Sequence, residues 1–134
     1  MNGEAVAWVA AVLFGALAVF QAALALGAPG GAYVFGGRVA TDDGRLPGGY
    51  RFAAAGAAVV LVLFGYVILA RAGVVDSAAS EQFLTIASWA IVAYMAINTA
   101  MNLAASTRVE RYGFGSISAI LVVLCSIVAA SGPA

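Results

Sequence analysis

The sequence predicts an all-α integral membrane protein, a bundle of four transmembrane helices, and three observations lead there. The six arginines and six carboxylates fall into four short clusters: Glu4; Arg38, Asp42, Asp43, Arg45 and Arg51; Arg71, Asp76 and Glu81; Arg108, Glu110 and Arg111. The uncharged stretches 5–37, 52–70, 82–107 and 112–134 each hold an apolar run of about 20 residues, the length a helix needs to cross roughly 30 Å of hydrocarbon. Composition agrees, with 64% hydrophobic and 9% charged residues and a mean hydropathy of +1.04, where a soluble domain carries about 25% charge. A charge at the bilayer centre costs about 2.5–3.5 kcal/mol on insertion scales, so charges confined to the gaps are what four spans impose.

The first helix is predicted over about 5–26, stopped by Gly27-Ala28-Pro29-Gly30-Gly31. Ala25 to Ala28 would pass as a small-residue cleavage site, but no cation precedes the apolar run and that run exceeds a typical signal core. It is therefore read as a permanent helix. Residues 28–50 form the longest loop, whose many glycines oppose a regular element and allow tight turns against the bilayer surface. Tyr33, Phe35 and Tyr50 suit the interfacial aromatic belt.

The second helix is predicted over 52–70, beginning at Arg51, and the third over about 82–105, with Ser80-Glu81 as its start. Residues 106–113 make the last turn and 114–130 the fourth helix, so residues 1–134 read as a single domain. No proline interrupts a span, which removes the broken-helix signature of many transporters. The side with loops 28–50 and 106–113 carries Arg38, Arg45, Arg51, Arg108 and Arg111, and the other side only Arg71. That asymmetry puts these two loops in the cytoplasm and both termini outside, in a plasma (inner) membrane.

The third span is the unusual one. Thr85, Ser88, Tyr94, Met95, Asn98, Thr99 and Asn102 share about half of its circumference. An amide facing lipid loses its water hydrogen bonds without replacement, so this face is expected to point into the bundle. Gln21 lies at a similar depth on the first helix and is the expected partner of the asparagines, while Arg51, Arg108, Glu110 and Arg111 cap the same end, with a local ion pair in the last group. These seven residues form the candidate polar cluster at a cytoplasmic mouth. The plain alternative is interhelical glue, at about 0.6–2 kcal/mol per hydrogen bond. A ridge of small residues, Ala7, Ala11, Gly15, Ala18 and Ala22, marks a close-packing face on the first helix, with packing inside the monomer as the default.

Absences narrow the chemistry. Without histidine there is no usual haem ligand or proton shuttle, and most zinc and copper sites are gone. The lone Cys125 excludes an internal disulfide or a CxxC pair and reads as a small buried apolar residue. A small multidrug exporter needs a membrane-embedded glutamate, which the first helix lacks beyond Glu4, and a quinone-linked thiol oxidoreductase needs paired cysteines. Zero net charge argues against nucleic acid. No catalytic residue, metal or cofactor is expected.

Several short blocks match a recurring pattern: Gly27-Ala28-Pro29-Gly30-Gly31, Gly36-Gly37, Leu46-Pro47 with Arg51, then Asn98, Met101-Asn102, Ser106, Glu110-Arg111 and Phe114-Gly115-Ser116. In these the chain resembles an uncharacterised family of small four-helix bacterial inner-membrane proteins, with Gly30 and Ser116 standing where that family has tryptophan and proline. The resemblance implies the topology and brings no activity with it.

The residues together point to a membrane protein without catalytic chemistry. It would be a homo-oligomer or an accessory subunit of a larger membrane complex, recognising a partner or lipid through its cytoplasmic mouth. The rival is a small solute or ion channel or transporter lined by the third helix.

Overall fold

A computed structural model describes residues 2–133. Its long helices are α1 (Gly3–Ala25), α2 (Gly48–Arg71), α3 (Glu81–Leu103) and α4 (Gly115–Ser131), and the described residues contain no strand. Four helical segments are long and apolar enough to cross a membrane. Only 22–39% of each is buried inside the protein, so most of their surface is left for hydrocarbon. The chain is a multi-pass membrane protein.

Capping chemistry sets the boundaries. The Asn2 side chain accepts from the Ala5 N–H at 2.8 Å and starts α1 two residues ahead of expectation. Ser80 Oγ accepts from the Phe83 N–H at 3.1 Å, which confirms the Ser80-Glu81 start of α3. α2 begins at Gly48, not Phe52: Pro47 holds an extended N-cap conformation and its carbonyl accepts from the Arg51 N–H, so both glycines join the first turn. The expected turn ahead of α4 is also corrected. Residues Val109–Phe114 form a π-helical turn that runs directly into α4.

The helices pair as two hairpins, α1 along α2 and α3 along α4. The hairpins join mainly through α1 and α4, leaving α2 and α3 in thinner contact. The core away from the long loop is filled by Phe14, Ile68, Ile91, Met95, Leu121 and Cys125, the last fully buried as its apolar neighbours imply. The small-residue ridge divides. Ala7 and Ala18 are buried, and an ideal Cβ at Gly65 of α2 would sit 3.8 Å from Ala11 Cα, so the backbones approach closely there. Gly15 and Ala22 instead face outward in an apolar groove with Ala58 and Val62.

Loop 1, residues 26–47, is more structured than its glycines suggest. It carries two single-turn 3₁₀ helices, Gly31–Tyr33 and Phe35–Gly37, and the Gly31 N–H donates to Gly44 O at 2.8 Å to fold the loop back on itself. Val34 and Leu46 are buried against Leu24 and Ala54, with Phe20 and Phe114 alongside, in a second small core. At the loop tip the Asp43 carboxyl is held below its ordinary range, first by the Thr41 hydroxyl, then by the Arg45 N–H and the Arg45 charge. That stabilisation is present above the unfolded pKa and is lost as pH falls through the lowered one. Full exposure keeps it small.

Two arginines reach the carbonyl ends of other helices, and a third reaches a loop carbonyl just past α3. Arg51 Nε donates to Ala25 O at 3.0 Å, Arg71 Nη2 to Ala129 O at 2.8 Å, and Arg111 Nη2 to Ala105 O at 3.0 Å. The last carbonyls of a helix have no partner within it and carry the negative end of its dipole, so a guanidinium satisfies both demands near a bilayer surface.

Candidate functional site

At the loop-1 end the bundle encloses a cavity of about 480 Å³ reached by every long helix. α1 gives Leu17, Phe20 and Gln21, α2 gives Ala57, Val60 and Leu61, and α3 gives Tyr94, Met95, Asn98, Met101 and Asn102. Ser118 of α4, Glu110 and Phe114 of the π-helical turn, residues 104–106 after α3, and Val34, Phe35, Gly36 and Arg38 of loop 1 complete it. Loop 1 lies across this end of the bundle and supplies part of the cavity wall.

Asn98 and Asn102 line the cavity as expected, but Tyr94 of the same predicted face is 52% exposed on the outer surface, and the partners of the asparagines differ from expectation. Asn98 Nδ2 donates to Ser118 Oγ at 2.9 Å and ties α3 to α4. Asn102 Nδ2 donates to the Asn98 backbone carbonyl at 2.9 Å, within its own helix. Gln21, the expected partner, lines the same cavity and bonds to neither; α3 packs along α4, not α1, and Asn98 meets Ser118 there. Ser118 is short, and a serine in an apolar run gives little warning of this role. If Asn98 is the link between helices, Asn98→Leu should lower stability in mixed micelles by about 1–2 kcal/mol while Asn102→Leu stays near zero. Equal losses in reversible denaturant titrations would contradict this assignment.

Among the described residues, Glu110 is the one charged residue that the fold buries, at 7% exposure. Its Oε1 accepts from the Gly36 N–H at 3.0 Å and from the Thr107 hydroxyl at 2.8 Å. Thr107 Oγ in turn accepts from the Glu110 N–H at 3.2 Å. This is a close variant of the capping box, in which a threonine and a glutamate three residues on satisfy each other at a helix start. The Thr107-x-x-Glu110 spacing was present in the sequence as a signal for it. Ser106 Oγ donates to Gly36 O at 3.1 Å. Gly36 is therefore held on both its donor and its acceptor, and loop 1 is latched to the segment before α4.

Of the seven predicted cluster residues, Gln21, Asn98, Asn102 and Glu110 meet at the cavity. Arg51 and Arg111 do not: their guanidinium groups are committed to backbone carbonyls, of Ala25 at the end of α1 and of Ala105 in the turn after α3. Arg108 is exposed and lies outside the lining. The ion pair expected within Arg108–Arg111 is not formed either, since Glu110 turns to Gly36 and Thr107; among the described residues the one salt bridge joins Arg45 to Asp43, at 3.5 Å. Sequence reasoning missed Arg38, which lies on the lining with no acceptor among the described residues. It sits in a glycine-rich loop whose path could not be read from spacing.

The cavity does not continue through the bundle. Phe14 packs edge-on against Phe64 (centroids 5.8 Å apart), and Phe64 against Tyr94 (5.2 Å), an aromatic chain from α1 through α2 to α3. Met95 and Leu121, both fully buried, belong to the core. Ser88, also fully buried, has no hydrogen-bond partner. No group of three or more metal-binding side chains occurs among the described residues. No protein-family model, curated protein or solved structure matches the chain.

Proposed function

We propose that this small polytopic membrane protein is a non-catalytic recognition protein. In this reading its vestibule at the loop-1 end binds a membrane amphiphile, alone as a homo-oligomer or as an accessory subunit of a larger complex. The observation that carries it is a sizeable cavity with amides at its inner side and a latched loop across it, above a solid apolar core. Pockets of about 300–1,000 Å³ with a few convergent polar groups are the usual form of small-molecule sites. A conducting lane needs polar groups at every depth, and the Phe14–Phe64–Tyr94 chain with Met95 and Leu121 supports recognition over conduction within one chain. Nothing in the lining resembles a nucleophile with a base beside it, which supports a role without chemistry.

Proteoliposomes are expected to show no solute or ion flux above empty vesicles, while lipid extracted with the purified protein is enriched in particular species. Flux that disappears in Asn98→Leu, with the fold intact, would establish the channel reading instead.

The vestibule is proposed to face the cytoplasm of a plasma membrane, because five of the six arginines lie at its end. In a Cys125→Ala background, an impermeant thiol reagent applied from outside should label a cysteine at position 2 and spare one in the 41–44 turn. The reverse pattern would invert the topology.

A further inference from the structure

The vestibule's hydrogen-bonding inventory separates one class of amphiphile from the others. The Gln21 side chain makes no hydrogen bond within the described residues, and the Asn98 and Asn102 side-chain oxygens and one side-chain N–H of each are also without a partner. Each carboxamide therefore presents donor and acceptor capacity together, which is what a hydroxyl group needs. The two charged lining groups have opposite sign. Arg38 stands in loop 1, and Glu110 is buried and engaged with Gly36 and Thr107. An anionic head would gain one guanidinium and meet a carboxylate in the same cavity, so the charge balance favours a neutral head.

The opening gives the rest. Val60 of α2 and Tyr94 and Met101 of α3 both line the cavity and are exposed on the outer surface, Tyr94 at 52% and Met101 at 68%. The cavity thus opens sideways between α2 and α3, onto the surface these helices present to hydrocarbon. Its inner limit is apolar and closed. A ligand that satisfies both regions has a polar head at the amides and a chain that leaves sideways.

We infer that the vestibule takes a neutral, hydroxyl-bearing lipid, with its glyceryl or glycosyl head hydrogen-bonded to Gln21, Asn98 and Asn102 and its acyl chains lying in the gap between α2 and α3. This rests on the recognition reading above. Gln21 is the informative residue, since it can be replaced without breaking a bond inside the protein.

The experiment uses the full chain purified in an amine-oxide detergent, which has no sugar or hydroxyl to compete, and transferred to phosphatidylcholine nanodiscs. Monoglucosyl diacylglycerol, diacylglycerol, phosphatidic acid and free glucose are the probes, with lipid retention read by native mass spectrometry and stability by thermal melting. The glucosyl lipid should be retained about tenfold over phosphatidylcholine, the factor that roughly one or two hydrogen bonds supply. Gln21→Leu should lose most of that preference with an unchanged melting temperature in phosphatidylcholine alone, and Arg38→Gln should keep it. Val60→Trp, which fills the gap from the lipid side, should abolish lipid retention.

Preference for phosphatidic acid that disappears in Arg38→Gln would overturn the neutral-head assignment and leave the recognition reading standing. Free glucose binding as tightly as the lipid would overturn the lateral chain path. Equal retention of all lipids, indifferent to Gln21→Leu, would overturn the assignment and the recognition reading together.

Discussion

Replacing Glu110 by alanine is expected to release loop 1 from the mouth of the bundle and to lower stability by about 2–4 kcal/mol, among the largest losses from any single side chain outside the apolar core. The carboxylate accepts two hydrogen bonds, from the Gly36 N–H and the Thr107 hydroxyl, and bonds to a charged acceptor contribute about 1.5–3 kcal/mol. Alanine removes both and leaves the Gly36 N–H without an acceptor in a part-buried place. Glu110→Gln keeps an acceptor oxygen and should recover about half of the loss. Hydrogen exchange provides the local reading, because the Gly36 amide should pass from protected to fast exchange in the alanine variant. Amides in the middle of α2 and α3 should hardly change. If Gly36 stays protected, the small core of Val34, Leu46, Leu24 and Ala54 is holding the loop by itself.

The architecture was legible because the bilayer leaves little freedom. Charges had to sit between spans, and each predicted helix falls within a few residues of its observed place. The shifts at α1 and α2 come from Asn2 and Pro47, residues that act at the cap and add nothing to a hydropathy window. The inward face of α3 was legible for the same reason: amides toward lipid have no compensation.

Partners were less legible. Asn98 meets Ser118 because of how α3 and α4 rotate against each other, and rotation is a tertiary property. The arginines were misread for a different cause. Sequence shows that five stand at one end but not that backbone carbonyls at that end need donors; Arg51 answers that need at the end of α1 and Arg111 in the turn after α3. Arg38 escaped notice because loop 1 owes its path to contacts far away in sequence, Gly36 with Glu110 and Gly31 with Gly44. Its glycine content permits that path without specifying it.

Two neighbouring glycines in that loop should respond very differently to the same methyl group. Gly36 and Gly37 both occupy the left-handed region, at φ 70° and 74°, where an L side chain costs about 1–2 kcal/mol. Around Gly36 the nearest atom to an ideal Cβ is Ser106 Oγ at 3.6 Å, an ordinary contact, so Gly36→Ala should carry the conformational cost alone. At Gly37 the Cβ would lie 2.9 Å from the Ala32 carbonyl oxygen and 3.3 Å from Thr107 Cγ2. The first of these is backbone, fixed by the 3₁₀ turn at Gly31–Tyr33, and it cannot swing away as a side chain would. Relief must come from displacing the loop, which strains the Gly37 N–H bond to Val34 O at 2.8 Å and the neighbouring latch at Gly36. Gly37→Ala should therefore cost about 3 kcal/mol, the left-handed penalty plus a similar amount for overpacking. Parallel denaturant titrations of the two variants, with limited proteolysis at residues 38–45, measure the difference. Comparable losses would mean that loop 1 yields as a whole at little cost, and that the latch at Glu110 is weaker than its two hydrogen bonds imply.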